Sequence, residues 1–137
     1  MNVFLDTNIL ISAVLNSSST PAKAFIKAVS FPNRGLVCEQ NIDEMRRIFN
    51  RKFPAKIQAL ETFLSLALLT LEVVNIPDSE YTSENSIRDV NDRAILRAAI
   101  FAKADVLVTG DKDFLESDIV NPKILTAAEF LDFESKK

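Results

Sequence analysis

The chain has 137 residues, 47% hydrophobic and 26% charged, with a formal net charge of −3. This composition fits one soluble globular domain, read over residues 1–137, long enough to bury about two thirds of its unfolded surface without a staple. With no histidine and one cysteine, Cys38, the sequence excludes imidazole acid–base catalysis, Ser-His-Asp triads, histidine-ligated zinc, thiolate clusters and an internal disulfide.

Residues 1–60 carry eight Lys/Arg against four Asp/Glu, whereas residues 61–137 carry eight against 15. The overall sign argues against nonspecific duplex binding and leaves room for a local basic face. No basic segment followed by a long apolar stretch opens the chain, and the mainly apolar region 63–74 is too short to span a bilayer. A cytoplasmic protein with no membrane partner is expected.

Val3, Phe4 and Leu5 form an apolar run suited to a buried strand, closed by Asp6. The apolar residues from Ile9 to Leu15 predict a strand-end loop and then a short helix. Thr20-Pro21 reads as an N-cap followed by proline at the first helical position. It opens a helix over 21–30 with Phe25, Ile26 and Val29 inward and Lys23 and Lys27 toward solvent. Pro32, Asn33 and Gly35 predict a turn, Leu36–Cys38 a second strand, and 41–52 a helix with Ile42, Met45, Ile48 and Phe49 at core spacing. Phe53-Pro54 breaks that helix; another is predicted over 55–68, and a third strand at 71–74. Residues 75–91 are non-periodic. A stretch of that length in a compact domain is either an active-site loop or a surface excursion, with Tyr81 and Ile87 available to tack it down. The alanine-rich helix 92–104 allows a close approach to a sheet. Val106–Thr109 is a strand running into Gly110-Asp111, residues 111–115 a turn or short helix, and Ile124-Leu125 a last strand. Thr126-Ala-Ala-Glu129 is a capping box opening a terminal helix with Phe130, Leu131 and Phe133. Five strands separated mainly by helices imply a parallel sheet covered on both faces. The two glycines, Gly35 and Gly110, are too few for a phosphate-cradling loop.

In open parallel sheets, chemistry sits beyond the carboxyl ends of the strands. Two strands here end at an aspartate, so Asp6 and Asp111 lead the candidates for a shared acidic site. The competing role for Asp6 is to accept backbone N–H bonds in the turn at Thr7-Asn8. Glu44 lies on helix 41–52, as a site residue or as an exposed acid paired with Arg47. Asp89 and Asp92 stand where a helix begins, a position at which acids also cap free amides. If Asn91 caps, Asp92 falls in the first turn and Asp89 outside it. Asp113 either faces the same pocket as Asp111 or forms an aspartate turn. Carboxylates forced together repel, and a divalent cation relieves that repulsion. An all-oxygen donor set suits Mg²⁺ or Mn²⁺, whose natural chemistry at such a site is phosphoryl transfer to water.

The order of these motifs resembles the PIN domain, the small nuclease domain of VapC-type toxins. Val3-Phe-Leu-Asp6-Thr7-Asn8 is similar to its first acidic motif, Glu44 within Asn41-Ile-Asp-Glu44-Met-Arg-Arg to its helical glutamate, and Asp92 within Asp89-Val-Asn-Asp92-Arg to its third acid. Thr109-Gly110-Asp111-Lys112-Asp113-Phe114 resembles the closing motif. The third motif departs from the family, which often has more consecutive acids and a proline where Val90, Asn91 and Arg93 stand. The resemblance implies a three-layer α/β/α fold with a five-stranded parallel sheet in order 3-2-1-4-5. It also implies a metal-dependent endoribonuclease leaving a 5′-phosphate and a 3′-hydroxyl. Asp6, Glu44, Asp92 and Asp111 would then hold Mg²⁺ or Mn²⁺ and be catalytic. Thr7, Asn8 and Thr109 would orient carboxylates or water, with Asp89 and Asp113 auxiliary.

The same resemblance implies an RNA substrate, an antitoxin protein as partner and a homodimer. Helices 41–52 and 55–68 are the candidates for a self-association surface, against plain core packing. Arg46, Arg47, Arg51, Lys52 and Lys56 are candidates to border an RNA path, with Arg93 able to alter RNA handling; the bland alternative is a solvated helix face. The alternative function is a catalytically silent PIN-like domain that binds RNA or protein. A phosphatase of the haloacid dehalogenase type would need an aspartate where Asn8 stands.

Overall fold

The computed structural model describes residues 1–134. Strands β1 (Asn2–Leu5), β2 (Arg34–Cys38), β3 (Glu72–Val74), β4 (Val106–Val108) and β5 (Lys123–Leu125) form one parallel sheet in the order β3-β2-β1-β4-β5. β1 pairs Phe4 with Leu36 of β2 on one side and with Leu107 of β4 on the other. The helices are α1 (Thr7–Leu15), α2 (Thr20–Val29), α3 (Glu39–Lys52), α4 (Ile57–Ala67), α5 (Val90–Phe101), α6 (Lys112–Leu115) and α7 (Ala127–Asp132). The period-two alternation of the strands supplies both covering layers with apolar surface. Val3, Leu5, Val37, Val106 and Val108 face α1, α2, α3, α4 and α7, whereas Phe4, Leu36, Cys38 and Leu107 face α5 and α6. The result is a three-layer α/β/α sandwich. The chain winds outward from β1 to β3 and then returns to β4, so the strand order reverses between β1 and β4, where a crevice opens at the carboxyl ends.

Several elements begin elsewhere than the sequence predicts, each for a capping reason. No strand-end loop follows Asp6: α1 starts at Thr7 because Asp6 caps it. Ser19, not Thr20, caps α2, its hydroxyl accepting from the Ala22 amide at 3.2 Å. α3 begins at Glu39, directly after β2. α5 begins at Val90, because Asp89 rather than Asn91 is its cap. Phe133 lies just past α7, whose predicted Thr126–Glu129 capping box forms.

α2 buries Ala22, Ala24 and Ala28 beside Phe25, whose ring packs on Phe63 at 5.1 Å, while Ile26 points outward. Lys27 does not face solvent. Its ammonium donates to the carbonyls of Phe130 at 2.6 Å and Phe133 at 2.7 Å, satisfying the open C-terminal end of α7. Gly35 belongs to β2 rather than to a turn. A Cβ there would lie 2.9 Å from both Leu71 and Val29.

The predicted loop 75–91 carries a 3-10 turn at Thr82–Ser86 and is anchored. Ile87 is fully buried, Tyr81 half-buried, and the firmest tie is Glu84, which is buried. Its carboxylate accepts two hydrogen bonds from Arg97, at 2.8 and 3.0 Å, and one from the Tyr81 amide at 2.7 Å. Burial raises the Glu84 pKa, but these donors outweigh it and hold the carboxyl below its ordinary value. No helix among the described residues is long and apolar enough to cross a membrane.

Candidate metal centre

At the crevice between β1 and β4, the Asp6 amide still donates to Val108 in the ladder, and the chain then turns at once into α1. The buried Asp6 carboxylate is held on both oxygens. Oδ1 accepts from the Thr7 amide at 2.8 Å, while Oδ2 accepts from the Thr109 hydroxyl at 2.7 Å and the Asn8 side chain at 3.4 Å. Thr109 accepts in turn from the Asp111 amide at 3.0 Å, and Asn8 accepts from the Gly110 amide at 3.1 Å. Thr7, Asn8 and Thr109 therefore tie the two strand ends into one network. Asn41, fully buried on α3, extends it. Its side chain donates to the Thr7 hydroxyl at 2.9 Å and accepts from the Cys38 amide at 2.8 Å.

Asp111 caps α6, its Oδ1 accepting from the Asp113 amide at 2.9 Å. Asp92 lies in the first turn of α5, behind the cap Asp89, whose Oδ1 accepts from the Asn91 amide at 2.8 Å. Acids are favoured at these helix starts by the partial positive charge of the free amides. Glu44 projects from α3 and accepts from Gln40 at 3.3 Å; Gln40 also donates to the Asn91 carbonyl at 2.8 Å, linking α3 to α5.

Asp6, Glu44, Asp92 and Asp111 line one cavity of about 140 Å³, closed by Thr7, Asn8, Ile11 and Ile48. The exposed cap Asp89 is not among its lining residues. Asp113 stands beside it: one oxygen each from Asp92, Asp111 and Asp113 lie within 4.8 Å of one another. Three carboxylate oxygens at that spacing, with no competing nitrogen or sulfur donor, are compatible with a hard divalent cation. A larger groove of about 530 Å³ between 82–86 and 118–121 has one carboxylate, Asp118, and lacks such a cluster.

The charges are strained in each other's presence. Burial pushes the Asp6 pKa up to about 6, against the hydrogen bonds from Thr109 and Thr7, and the neighbouring Asp111 and Glu44 add to the rise. Asp92 is raised to about 8 by burial, by Asp111, Asp6 and Asp89, and by a hydrogen bond to Asp111 that only its protonated form can donate. Glu44 is raised by burial, against Gln40 and Arg47, with Asp89 adding to the rise. Carboxylates raised in this way lack positive charge nearby, and a divalent cation is compatible with that need.

The basic candidates divide. Arg46 is paired with Glu61 at 3.1 Å, and Arg93 donates to the Ile87 carbonyl at 2.6 Å, whereas Arg47, Arg51, Lys52 and Lys56 are exposed. Sequence reasoning missed Asn41 and Gln40. The available signal for Asn41 was its place three residues after the strand end Cys38, where a side chain reaches back to the cap amide. Gln40 had the i to i+4 spacing to Glu44.

Fold and site define a parallel α/β sandwich with an acidic, cation-compatible crevice at its topological switch point. The family model of the PIN domain matches residues 2–113, and the chain belongs to that family. One chain of the crystal structure of VapBC2 from Rickettsia felis bound to a DNA fragment from their promoter is similar, with a TM-score of 0.65 and 20% sequence identity over 92% of this chain and 97% of that one. At that identity the likeness is one of fold. No curated protein matches the chain.

Proposed function

We propose that the chain, as a single nuclease domain over residues 1–137, is a metal-dependent endoribonuclease and the toxin of a toxin–antitoxin pair. The observation that carries the reading is the convergence of Asp6 and Asp111, caps of α1 and α6, with Glu44 of α3 and Asp92 of α5 on one cavity. In this reading those four hold Mg²⁺ or Mn²⁺, with Asp113 as an auxiliary ligand. The ion, when bound, lowers the pKa of water and stabilises charge growing on the phosphate. The residues supply positioning. Thr109, Thr7 and Asn8 fix the Asp6 carboxylate, and Asn41 fixes Thr7. The water oxygen adds to phosphorus, the bond to the 3′-oxygen breaks, and that oxygen takes up a proton. A 5′-phosphate and a 3′-hydroxyl result.

The toxin assignment draws support from family membership and from the fold likeness to a chain of VapBC2. Self-association as a homodimer draws support from the end of α4, where Leu66, Leu68 and Leu69 are exposed. Arg47, Arg51 and Lys52 remain available to border an RNA path. A cytoplasmic location follows from that role.

The test is cleavage of labelled RNAs and single-stranded DNA by wild type and Asp6→Asn, with Mn²⁺, Mg²⁺ or EDTA. RNA cleavage that requires metal and is lost in the variant is expected. Cleavage that persists in both EDTA and the variant would overturn the mechanism. A folded, metal-bound wild type that binds RNA without cutting it would favour the silent binding domain.

A further inference from the structure

We propose that Arg88 contacts the substrate, gripping an RNA backbone phosphate at or next to the one being cut, with Asp113 as its positioning residue. The inference rests on the ribonuclease reading and names a residue of that site which neither the motif pattern nor the cavity lining includes.

Arg88 immediately precedes Asp89, the cap of α5. Its side chain is 86% exposed, yet Nη2 donates to Asp113 Oδ1 at 2.8 Å. Asp113 is one of the three acids whose oxygens lie within 4.8 Å of one another. The guanidinium is thus held at the rim of the acidic cluster. An exposed ion pair of this kind contributes little to stability, so holding the fold is a poor account of it. The backbone beneath it is fixed. Ile87 is fully buried, its amide donates to Glu84, and its carbonyl accepts from Arg93. A long cationic side chain is launched from a rigid point over the place where the reaction is proposed.

A polyanion approaching five clustered carboxylates needs cations at the approach. Arg46 and Arg97 are paired with glutamates, and Arg93 is engaged with the chain's own backbone. Arg47 acts on the Glu44 side of the cavity, its charge opposing the rise in the Glu44 pKa. Arg88 fills the corresponding position on the Asp113 side. One of its five N–H groups is engaged by Asp113, and the planar fork retains donors in the geometry that suits a phosphate.

The experiment compares wild type, Arg88→Gln, Arg88→Lys and Asp113→Asn in Mn²⁺-dependent cleavage of a single-stranded RNA across salt concentrations, with Mn²⁺ affinity measured separately by calorimetry without RNA. Arg88→Gln is expected to raise KM about tenfold. It should also flatten the slope of log(kcat/KM) against log[salt] by about 0.7, the loss of one phosphate contact on a single strand. Its Mn²⁺ affinity should hold or rise, because the lost guanidinium no longer competes for Asp113. Arg88→Lys keeps the charge and should recover the slope while recovering KM only in part. Asp113→Asn should raise KM with the slope retained. If Arg88→Gln tightens Mn²⁺ but leaves KM and slope unchanged, Arg88 is only a counter-charge for Asp113 and the inference is wrong. A wild type that cuts no RNA would reject the ribonuclease reading, and the inference with it; a wild type that cuts and an Arg88→Gln indistinguishable from it would reject the inference alone.

Discussion

The Asp6→Asn variant, measured without metal, separates the electrostatic role of this acid from its chemistry. Asp6 is 4% exposed, and its pKa rises from 3.8 to about 6 in the fold, chiefly through burial. Because the folded-state value is the higher one, the unfolded chain loses its proton first, and stability falls as pH rises through the window between 3.8 and 6. The gap, at about 1.4 kcal/mol per pH unit, makes ionised Asp6 cost the fold about 3 kcal/mol above pH 6. Asparagine removes that cost. It keeps an oxygen for the Thr7 amide but places an NH₂ against the Thr109 hydroxyl, at a loss of about 1 kcal/mol. The net gain is about 2 kcal/mol at pH 8. Over 137 residues this corresponds to a rise in Tm of about 7 °C. At pH 4 folded Asp6 is neutral, most of the cost is gone, and the variant should be no more stable than wild type. Thermal and urea melts in EDTA at the two pH values decide the matter. A variant destabilised equally at pH 4 and pH 8 would refute the reasoning.

Adding Mn²⁺ at a hundred times its Kd should stabilise wild type by about 2.7 kcal/mol at pH 8, an effect lost in Asp111→Asn and read by the same melts. Glu84→Gln leaves Arg97 without its carboxylate under the 75–91 loop. It should destabilise the protein by about 3 kcal/mol in urea titration and speed amide exchange at Ile87. Because the Glu84 pKa is lowered in the fold, its contribution is fully present above about pH 4.5 and is lost as pH falls through the folded value, a dependence Glu84→Gln should lack. Gly35→Ala forces a methyl to within 2.9 Å of Leu71 and Val29 and should cost about 1–3 kcal/mol in the same titration.

What the sequence displays well are features set by local periodicity and by abrupt ends. The runs Val3–Leu5 and Val106–Val108 are apolar throughout and stop at polar residues, so both strands and the acids beyond them can be read directly. The sheet order is legible only through the family resemblance that the motif order carries. Harder to see are choices between adjacent polar residues. Asp89 and Asn91 are both good caps, and only the turn of the backbone before α5 selects the first. Ile26 fits an inward stripe by hydrophobicity, yet α2 packs through Ala22, Ala24, Phe25 and Ala28 and leaves Ile26 60% exposed. Glu84 sits among serines and asparagines in a stretch that looks solvated, and its partner Arg97 is 13 residues away on α5. Nothing local announces that pairing, and a still longer separation, 25 residues, hides Arg88 from Asp113.

Two of the four acids that line the cavity also cap helices. One oxygen of Asp6 and of Asp111 accepts an amide in the first turn of α1 and of α6, while the second oxygen of Asp6 accepts from Thr109 and Asn8. Glu44 and Asp92 cap nothing. A lineage that abandons the chemistry is therefore released unevenly. At Glu44 and Asp92 drift can go anywhere that packing tolerates, whereas at Asp6 and Asp111 helix starts still select serine, threonine or asparagine over alanine. A descendant that no longer needs the four acids should keep polar residues at Asp6 and Asp111 and lose them at Glu44 and Asp92.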